Sequence, residues 1–180
     1  PTDYPPMSGS NSLCVVTVLL ETGMVAMQEP ETRLTLDTPG GPVEAIAACR
    51  NGRCEHVRVR NVPSFATHLG VPTEVPGLGT VETDIAYGGA FFAIVDAHAL
   101  GFSLTRDEAL ELVELGERIK RSAAEQHPVA HPENPNISTV TFTEFAAPVT
   151  SQGDDLASRN AVVVSPGKID RSPCGTGTSA

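Results

Sequence analysis

Residues 170–178 of the chain have the sequence DRSPCGTGT. The segment follows a predicted strand at 161–164 and begins a predicted helix, with Cys174 just before the glycine-rich first turn. Backbone N–H groups at such a turn point outward and can bind a carboxylate. The positive end of a helix also lowers the pKa of a thiol below its free value of about 8.5. Taken alone, the segment leaves a reactive Cys174 and an inert core cysteine equally open.

A second segment of similar design lies at residues 7–11, MSGSN. It begins a predicted helix over 8–21, with N-cap residue types at its start and Gly23 as the C′ residue. The middle of this helix is apolar on nearly all sides, which predicts a helix buried inside a domain with Cys14 in the core. On its own, the segment is an ordinary helix-capping sequence.

The remaining pattern predicts more strands than helices. Alternating apolar residues, a continuous apolar run at 91–95 and turns that contain Gly or Pro predict the strands. They lie at 33–37, 43–47, 57–59, 81–87, 91–95, 137–142 and 161–164. Thr105 and Glu108 form a predicted capping box, which begins a helix that ends before His127. Strands joined by hairpins, with long excursions between them, predict an α+β fold with antiparallel sheets.

Charge and composition exclude several classes of partner. The net charge is −10, and hydrophobic residues make up 40% of the chain, as in a globular protein. The acidic residues do not form a block, and four arginines near residues 50–60 are interpreted as the solvated face of a hairpin. Nucleic acid and anionic membranes are therefore not expected as partners. No apolar stretch approaches the roughly 20 residues that span a bilayer, and a cytoplasmic location is the expectation.

The four cysteines form no C-x-x-C zinc pattern. Asn51-Gly52 is a strong hairpin signal, and the hairpin would place Cys49 opposite Cys54. A disulfide is geometrically feasible there, but two reduced thiols are expected in a cytosolic protein. His127 and His131 have a ligand-like spacing, yet the proline after each breaks the helix that a zinc site would need.

The segments at 170–178 and 7–10 both resemble motifs of a known protein family. The sequence at 170–178 is identical to the second motif of proline racemases and hydroxyproline epimerases. Their first motif, Met-Cys-Gly-His, resembles residues 7–10, with Ser8 in place of the cysteine and Ser10 in place of the histidine. Further similarity occurs in order at 20–23, 60–63, 87–89 and 131–133. The chain therefore resembles the proline racemase superfamily over essentially its whole length.

This resemblance implies a fold like diaminopimelate epimerase. Two similar halves each wrap a sheet around a central helix, and the active site lies in the cleft between them. Residues 1–100 would belong to the first half and residues 101–180 to the second, which carries the catalytic cysteine. Family chains are longer, so we expect the start of the first half and the end of the second to be missing. A natural half-length protein is the alternative, and it would leave both central helices poorly covered.

The resemblance also implies a mechanism without metal or organic cofactor. Cys174 would be the general acid/base on one face of the substrate, with Ser8 on the other, and Asp170 would bind the ring ammonium. The substrate carboxylate would lie between the two helix N-termini. The N–H groups expected to hold it belong to Gly9, Ser10, Gly175 and Thr176.

Ser8 determines which activity is expected. A racemase with two bases needs two thiols of matched acidity, and a serine hydroxyl is a far weaker acid. A dehydratase needs only one base at Cα, so we expect a trans-3-hydroxy-L-proline dehydratase with 4-hydroxyproline 2-epimerase as a side activity. A dedicated 4-hydroxyproline 2-epimerase or proline racemase is the alternative enzyme. A non-catalytic imino-acid-binding protein is the alternative of another class, and a homodimer is left open.

Overall fold

The computed structural model describes residues 4–180, which form two compact units. The first unit spans Pro6–Pro63, and the second comprises residues 64–180 together with residues 4 and 5. The division predicted after residue 100 concerns the two halves of a longer chain and stays a prediction. Within this chain the boundary between compact units lies at residue 63.

The first unit is one helix on a three-stranded antiparallel sheet. Helix α1 spans Gly9–Glu21, and the strands are β1 (Glu31–Thr38), β2 (Gly41–Arg50) and β3 (Arg53–Arg60). The strands lie in the order β1-β2-β3, and α1 packs across β2 and β3. The predicted helix over 8–21 is thus confirmed, with Ser8 at its N-cap.

Only one side of α1 is buried in this unit. Val16 and Leu20 lie in the core against the sheet. Val15 and Val18 are 46% and 53% exposed, and Cys14 is exposed as well. The prediction of a fully buried helix with Cys14 in the core is therefore wrong for this unit, because a three-stranded sheet covers only one side of a helix.

The predicted hairpin between β2 and β3 is confirmed. Asn51 and Gly52 both have positive φ, at 52° and 69°, as a two-residue primed turn requires. Cys49 pairs with Cys54 across the strands, and both thiols are free. The nearby arginines are exposed, as expected for a solvated hairpin face.

The second unit is a six-stranded mixed sheet with helices on both faces. Its first strands are β4 (Phe65–Val75), β5 (Gly79–Tyr87) and β6 (Phe91–Asp96). A 3₁₀ turn (Arg106–Glu108) and helix α2 (Ala109–Gln126) precede β7 (Val140–Ala146). The remaining elements are β8 (Thr150–Gln152), β9 (Asp155–Ala157), β10 (Asn160–Val164), β11 (Lys168–Ile169) and helix α3 (Gly175–Ser179). The sheet order is β11-β10-β7-β6-β5-β4, and only the β6–β7 pair in it is parallel.

Adjacent residues of β10 show that α2 and α3 pack on opposite faces of this sheet. Gly116 of α2 lies against Val163, whereas Gly177 of α3 lies against Val162. Neighbouring residues of a strand point to opposite faces. Strand β7, in the middle of the sheet, is therefore buried along almost its whole length.

The α+β class is confirmed, and so is the capping box. The carboxylate of Glu108 accepts hydrogen bonds from the N–H groups of Ser103 and Thr105, at 3.0 and 2.7 Å, which lower its pKa. The strand predicted at 137–142 is β7, which begins three residues later, at Val140, and ends at Ala146. Strand β4 was not predicted, because it lies at the sheet edge and two irregularities interrupt its pairing with β5.

Candidate active site

A chain of hydrogen bonds shapes the loop between β11 and α3. Asp170 Oδ1 accepts from both the N–H and the hydroxyl of Ser172, at 3.0 and 3.1 Å. Ser172 Oγ in turn accepts from the N–H of Cys174 at 3.1 Å. Cys174 occupies the N-cap of α3 with φ 57° and ψ 95°, a left-handed conformation that is costly for a residue with a side chain. The loop thus holds the thiol in an unfavourable backbone conformation beside a carboxylate.

The thiol of Cys174 is buried, with only 8% of the residue exposed. It lies in an apolar cluster with Phe92, Phe142 and Val162, and its sulfur is 3.5 Å from Thr176 Oγ1. Burial raises its pKa most strongly; the Thr176 hydroxyl and the Gly177 N–H lower it, and the charge of Asp170 raises it again.

The expectation that the helix end lowers this pKa is therefore wrong for the chain as it stands. The N–H of Gly177, in the first turn of α3, does lower the pKa of Cys174, but by less than burial raises it. Desolvation disfavours the charged thiolate, and Asp170 adds a like charge. Both effects favour the neutral thiol over the thiolate.

The first turn of α3 offers N–H groups to a ligand. Helix geometry leaves the N–H groups of Gly175 and Thr176 without an intrahelical acceptor. Gly175 has open space where a side chain would project, whereas Thr176 is buried. The N–H of Thr178 closes the turn on Cys174 O at 2.8 Å.

Two glycines allow α3 to lie directly on the sheet. A Cβ on Gly177 would collide with Glu144 Oε2 and come within 3.2 Å of Phe92. A Cβ on Gly88, in the turn after β5, would collide with the backbone of α3 at Thr176. Gly88 and Gly177 therefore have a packing role in this unit.

Asn160 and Glu144 lie beneath the loop and were missed by the sequence analysis. Asn160 Nδ2 donates to Glu144 Oε1 at 2.6 Å and to Pro173 O at 2.9 Å, and it lies 3.4 Å from Thr178 Oγ1. Burial raises the pKa of Glu144, which is 5% exposed. A carboxyl inside the otherwise apolar and threonine-rich strand β7 was the one available signal in the sequence.

The predicted residues of the first motif lie at the start of α1. Ser8 is half-buried, and its hydroxyl makes no capping hydrogen bond. Its carbonyl accepts from the N–H and the hydroxyl of Ser12 at 3.0 and 2.9 Å. Gly9 has open space where a side chain would project, and Ser10 is exposed. The Ser8 hydroxyl and the free N–H groups of this turn are thus available to a ligand.

The structure brings the predicted residues together in two groups. Asp170, Cys174, Gly175 and Thr176 form one turn of the second unit, and residues 8–10 form one turn of the first unit. That both groups serve one substrate stays a prediction.

Two further findings bear on partners. Among residues 4–180, no cluster of three or more His, Cys, Asp or Glu side chains is arranged to hold a metal ion. His127 instead pairs with Thr73 Oγ1 at 3.0 Å, and the His131 ring packs 4.7 Å from that of Tyr87. Within residues 4–180, every helix is too short or too polar to cross a membrane.

Two solved structures resemble this chain closely. A probable proline racemase from Agrobacterium radiobacter K84, with bound carbonate, is 45% identical and superposes with a TM-score of 0.89. A hydroxyproline epimerase from Agrobacterium vitis, with bound trans-4-hydroxy-L-proline, is 43% identical with the same TM-score. Each comparison covers 100% of this chain and 52% of the other, so the chain spans about half the length of these proteins.

The sequence model of the proline racemase family matches the chain over residues 1–180. This match covers both turns described above, the one that begins at Ser8 and the one that begins at Cys174. With the two structural superpositions, it shows that the chain belongs to the proline racemase family.

Proposed function

We propose that this chain is part of an enzyme that removes the Cα proton of a hydroxyproline without a cofactor. The proposed main activity is trans-3-hydroxy-L-proline dehydration, with 4-hydroxyproline 2-epimerisation as a side activity. The observation that carries the proposal is the hydrogen-bonded link Asp170–Ser172–Cys174 within a motif identical to that of the family. A protein that only bound imino acids would have no use for a buried thiol next to a carboxylate.

In the proposed mechanism, Asp170 binds the ring ammonium of the substrate. A carboxylate has roughly four acceptor positions, and Ser172 uses two of those on Asp170. In the chain as it stands, the charge of Asp170 raises the pKa of Cys174. A bound ammonium would neutralise that contribution, so substrate binding itself would favour the thiolate. The positive ring nitrogen would also make the Cα–H more acidic.

The thiolate of Cys174 then takes the Cα proton. For dehydration, the electron pair of the broken Cα–H bond forms a double bond to C3 while the 3-hydroxyl leaves as water with a proton from an acid. The enamine product tautomerises to a ring imine. The N–H groups at the starts of α1 and α3 would hold the substrate carboxylate, through Gly9, Ser10, Gly175 and Thr176.

Ser8 supports dehydration over epimerisation. Inversion at Cα needs an acid that delivers a proton to the opposite face, and a serine hydroxyl gives up its proton far less readily than a thiol. Dehydration needs no proton delivered to Cα, so a serine in the position proposed for Ser8 would not hinder it.

A dedicated 4-hydroxyproline 2-epimerase is the second candidate. The observation that favours it is the 43% identity, over the whole of this chain, to the hydroxyproline epimerase with bound trans-4-hydroxy-L-proline. In that case Ser8 would act with a bound water or another acid on its face of the ring.

The test is to incubate the intact protein in deuterated water with trans-3-hydroxy-L-proline and, separately, trans-4-hydroxy-L-proline. Ring-imine formation from the 3-hydroxy substrate supports the dehydratase. Deuterium at Cα with inversion of the 4-hydroxy substrate, and no imine from the 3-hydroxy one, supports the epimerase. A protein that only binds imino acids gives neither product and no exchange.

A further inference from the structure

Glu144 is a buried carboxyl that the proposed mechanism does not use. It lies in the middle of β7, opposite Ile94 of β6 and Val162 of β10. Its side chain projects to the face that carries α3, where Oε2 lies under Gly177. Oε2 has no hydrogen-bond partner among the residues that the structure describes, and neither carboxyl oxygen joins an ion pair among them.

The other oxygen of Glu144 connects to the Cys174 loop through one amide. Asn160 Nδ2 donates to Glu144 Oε1, to the carbonyl of Pro173 and, more weakly, towards Thr178 Oγ1. Thr178 Oγ1 itself donates to Pro173 O at 2.8 Å. The amide therefore holds the chain on both sides of Cys174, at the residue before it and four residues after it.

We propose that Glu144 and Asn160 form a bracket that positions Cys174 for proton transfer, with Glu144 acting as a neutral carboxylic acid. Glu144 Oε1 accepts from Asn160 rather than from the thiol, and Oε2 has no hydrogen-bond partner among the described residues, so Glu144 is a positioning residue. This inference rests on the proposed function for its catalytic consequence only. The positioning of the thiol can be measured without turnover.

The left-handed conformation of Cys174 explains why a bracket is needed. A non-glycine residue in that region relaxes unless the surrounding structure holds it. The Asp170–Ser172 link holds the loop from the solvent side, since Ser172 is exposed. The Asn160 amide holds it from the sheet side, anchored on Glu144. Without the anchor the loop can open and expose the thiol.

The uncharged state proposed for Glu144 explains why its carboxyl can be buried. An ionised carboxylate with one unpartnered oxygen in this cluster would be strongly disfavoured, whereas a neutral acid still offers Oε1 to Asn160. Glutamine has the same shape, is uncharged and keeps that acceptor. Glu144→Gln is therefore the matched control for Glu144→Leu, which removes the acceptor at similar size.

The experiment measures two quantities on the intact protein: turnover of the hydroxyproline substrates, and the rate at which iodoacetamide alkylates each cysteine, read by peptide mass spectrometry. We expect Glu144→Leu and Asn160→Ala to lower turnover about ten- to a hundredfold, and to speed alkylation of Cys174. Glu144→Gln should match the wild type in both. Alkylation of Cys49, buried in the other unit, should stay unchanged in all three.

A control variant separates positioning from loss of stability. Thr143 neighbours Glu144 but faces α2, where its hydroxyl donates to Gly116 O at 2.8 Å. Thr143→Val should lower the melting temperature without speeding Cys174 alkylation in the folded protein.

Three results would overturn the bracket. They are unchanged Cys174 alkylation in Glu144→Leu, a Glu144→Gln variant as impaired as Glu144→Leu, and equal acceleration in Thr143→Val. If neither the wild type nor any variant turns over either substrate, the proposed function is wrong. The alkylation rates still test whether Glu144 and Asn160 position Cys174.

Discussion

At the scale of single residues, the acidity of Cys174 is set by its surroundings. Burial and the Asp170 carboxylate raise the pKa of the thiol, while the Thr176 hydroxyl and the Gly177 N–H lower it. A general base acts in its deprotonated form, so in the proposed mechanism substrate binding would have to offset the effects that raise this pKa. A ring ammonium at Asp170 is the simplest cause of such a change.

Replacing Cys174 by alanine should abolish turnover of both hydroxyproline substrates. The thiol is the proposed base, and no other titratable side chain of the 170–178 turn could take its place at the same position. Cys14→Ala is the matched control, because Cys14 is exposed and outside the site, and it should keep turnover near the wild-type rate. Near-normal rates in Cys174→Ala, measured by deuterium exchange at Cα, would remove this cysteine from the mechanism.

Replacing Asp170 by asparagine should have two separable effects. Substrate binding should weaken, because the partner of the ring ammonium loses its charge, an effect of about 2–5 kcal/mol in a dehydrated site. The pKa of Cys174 should fall, because the charge of Asp170 raises it in the free chain. The pH profile of Cys174 alkylation should therefore shift to lower pH than in the wild type. A profile that stays in place, with unchanged KM and kcat, would contradict both roles.

Replacing Ser8 by cysteine should raise epimerisation relative to dehydration. A cysteine, with a pKa of about 8.5, donates a proton to Cα much more readily than an alcohol does. The ratio of C2 inversion to ring-imine formation is the measurement, with Ser10→Cys as a control next to it on the same turn. If the wild type already inverts trans-4-hydroxy-L-proline fast and never dehydrates the 3-hydroxy isomer, the dedicated epimerase takes the place of the dehydratase.

At the scale of elements, the position of helix α3 depends on the close approach of its backbone to the sheet. Its position comes from contacts below it, where glycines at 88 and 177 remove the side chains that would lift it off. The position of the turn that carries Cys174 is therefore set by the sheet on which α3 lies.

Gly177→Ala should displace α3 and lower turnover, at a cost of about 1–3 kcal/mol in stability from overpacking. The new methyl group would meet the Glu144 carboxyl and the ring of Phe92. Gly116→Ala is the control: its methyl group would meet Val163 on the other face of the sheet. Thermal melting should show losses in both variants, whereas Cys174 alkylation should change only in Gly177→Ala. Equal rates of Cys174 alkylation in the two variants would mean that the packing of α3 on the sheet does not control the accessibility of the thiol.

At the scale of the whole molecule, the two motifs belong to different compact units. A proton relay across one substrate requires that the two turns meet around it. We predict that a crystal structure of the intact protein with trans-4-hydroxy-L-proline shows Ser8 and Cys174 on opposite faces of the ring. The ligand carboxylate should contact the N–H groups of Gly9 and Gly175. A ligand bound by only one of the two turns would contradict a mechanism in which Ser8 and Cys174 act on opposite faces of the substrate.

Much of the fold and of the site could be predicted because the signals are local. The Asn51-Gly52 hairpin, the Thr105–Glu108 capping box and the DRSPCGTGT turn each depend on a few consecutive residues whose dihedral angles and hydrogen bonds are set by neighbours in the chain. The edge strand β4 escaped prediction because half of its backbone faces solvent, so no regular alternation of apolar residues is needed.

The sequence by itself determined the family, the α+β class and the identity of the candidate thiol. Only the tertiary structure decided its acidity, the one-sided burial of α1 and the support of the Cys174 loop. Each of these depends on groups far apart in the chain: Asn160 is 16 residues from Glu144 and 18 from Thr178. Desolvation and shared hydrogen bonds arise only when such segments pack together, and no local pattern records them.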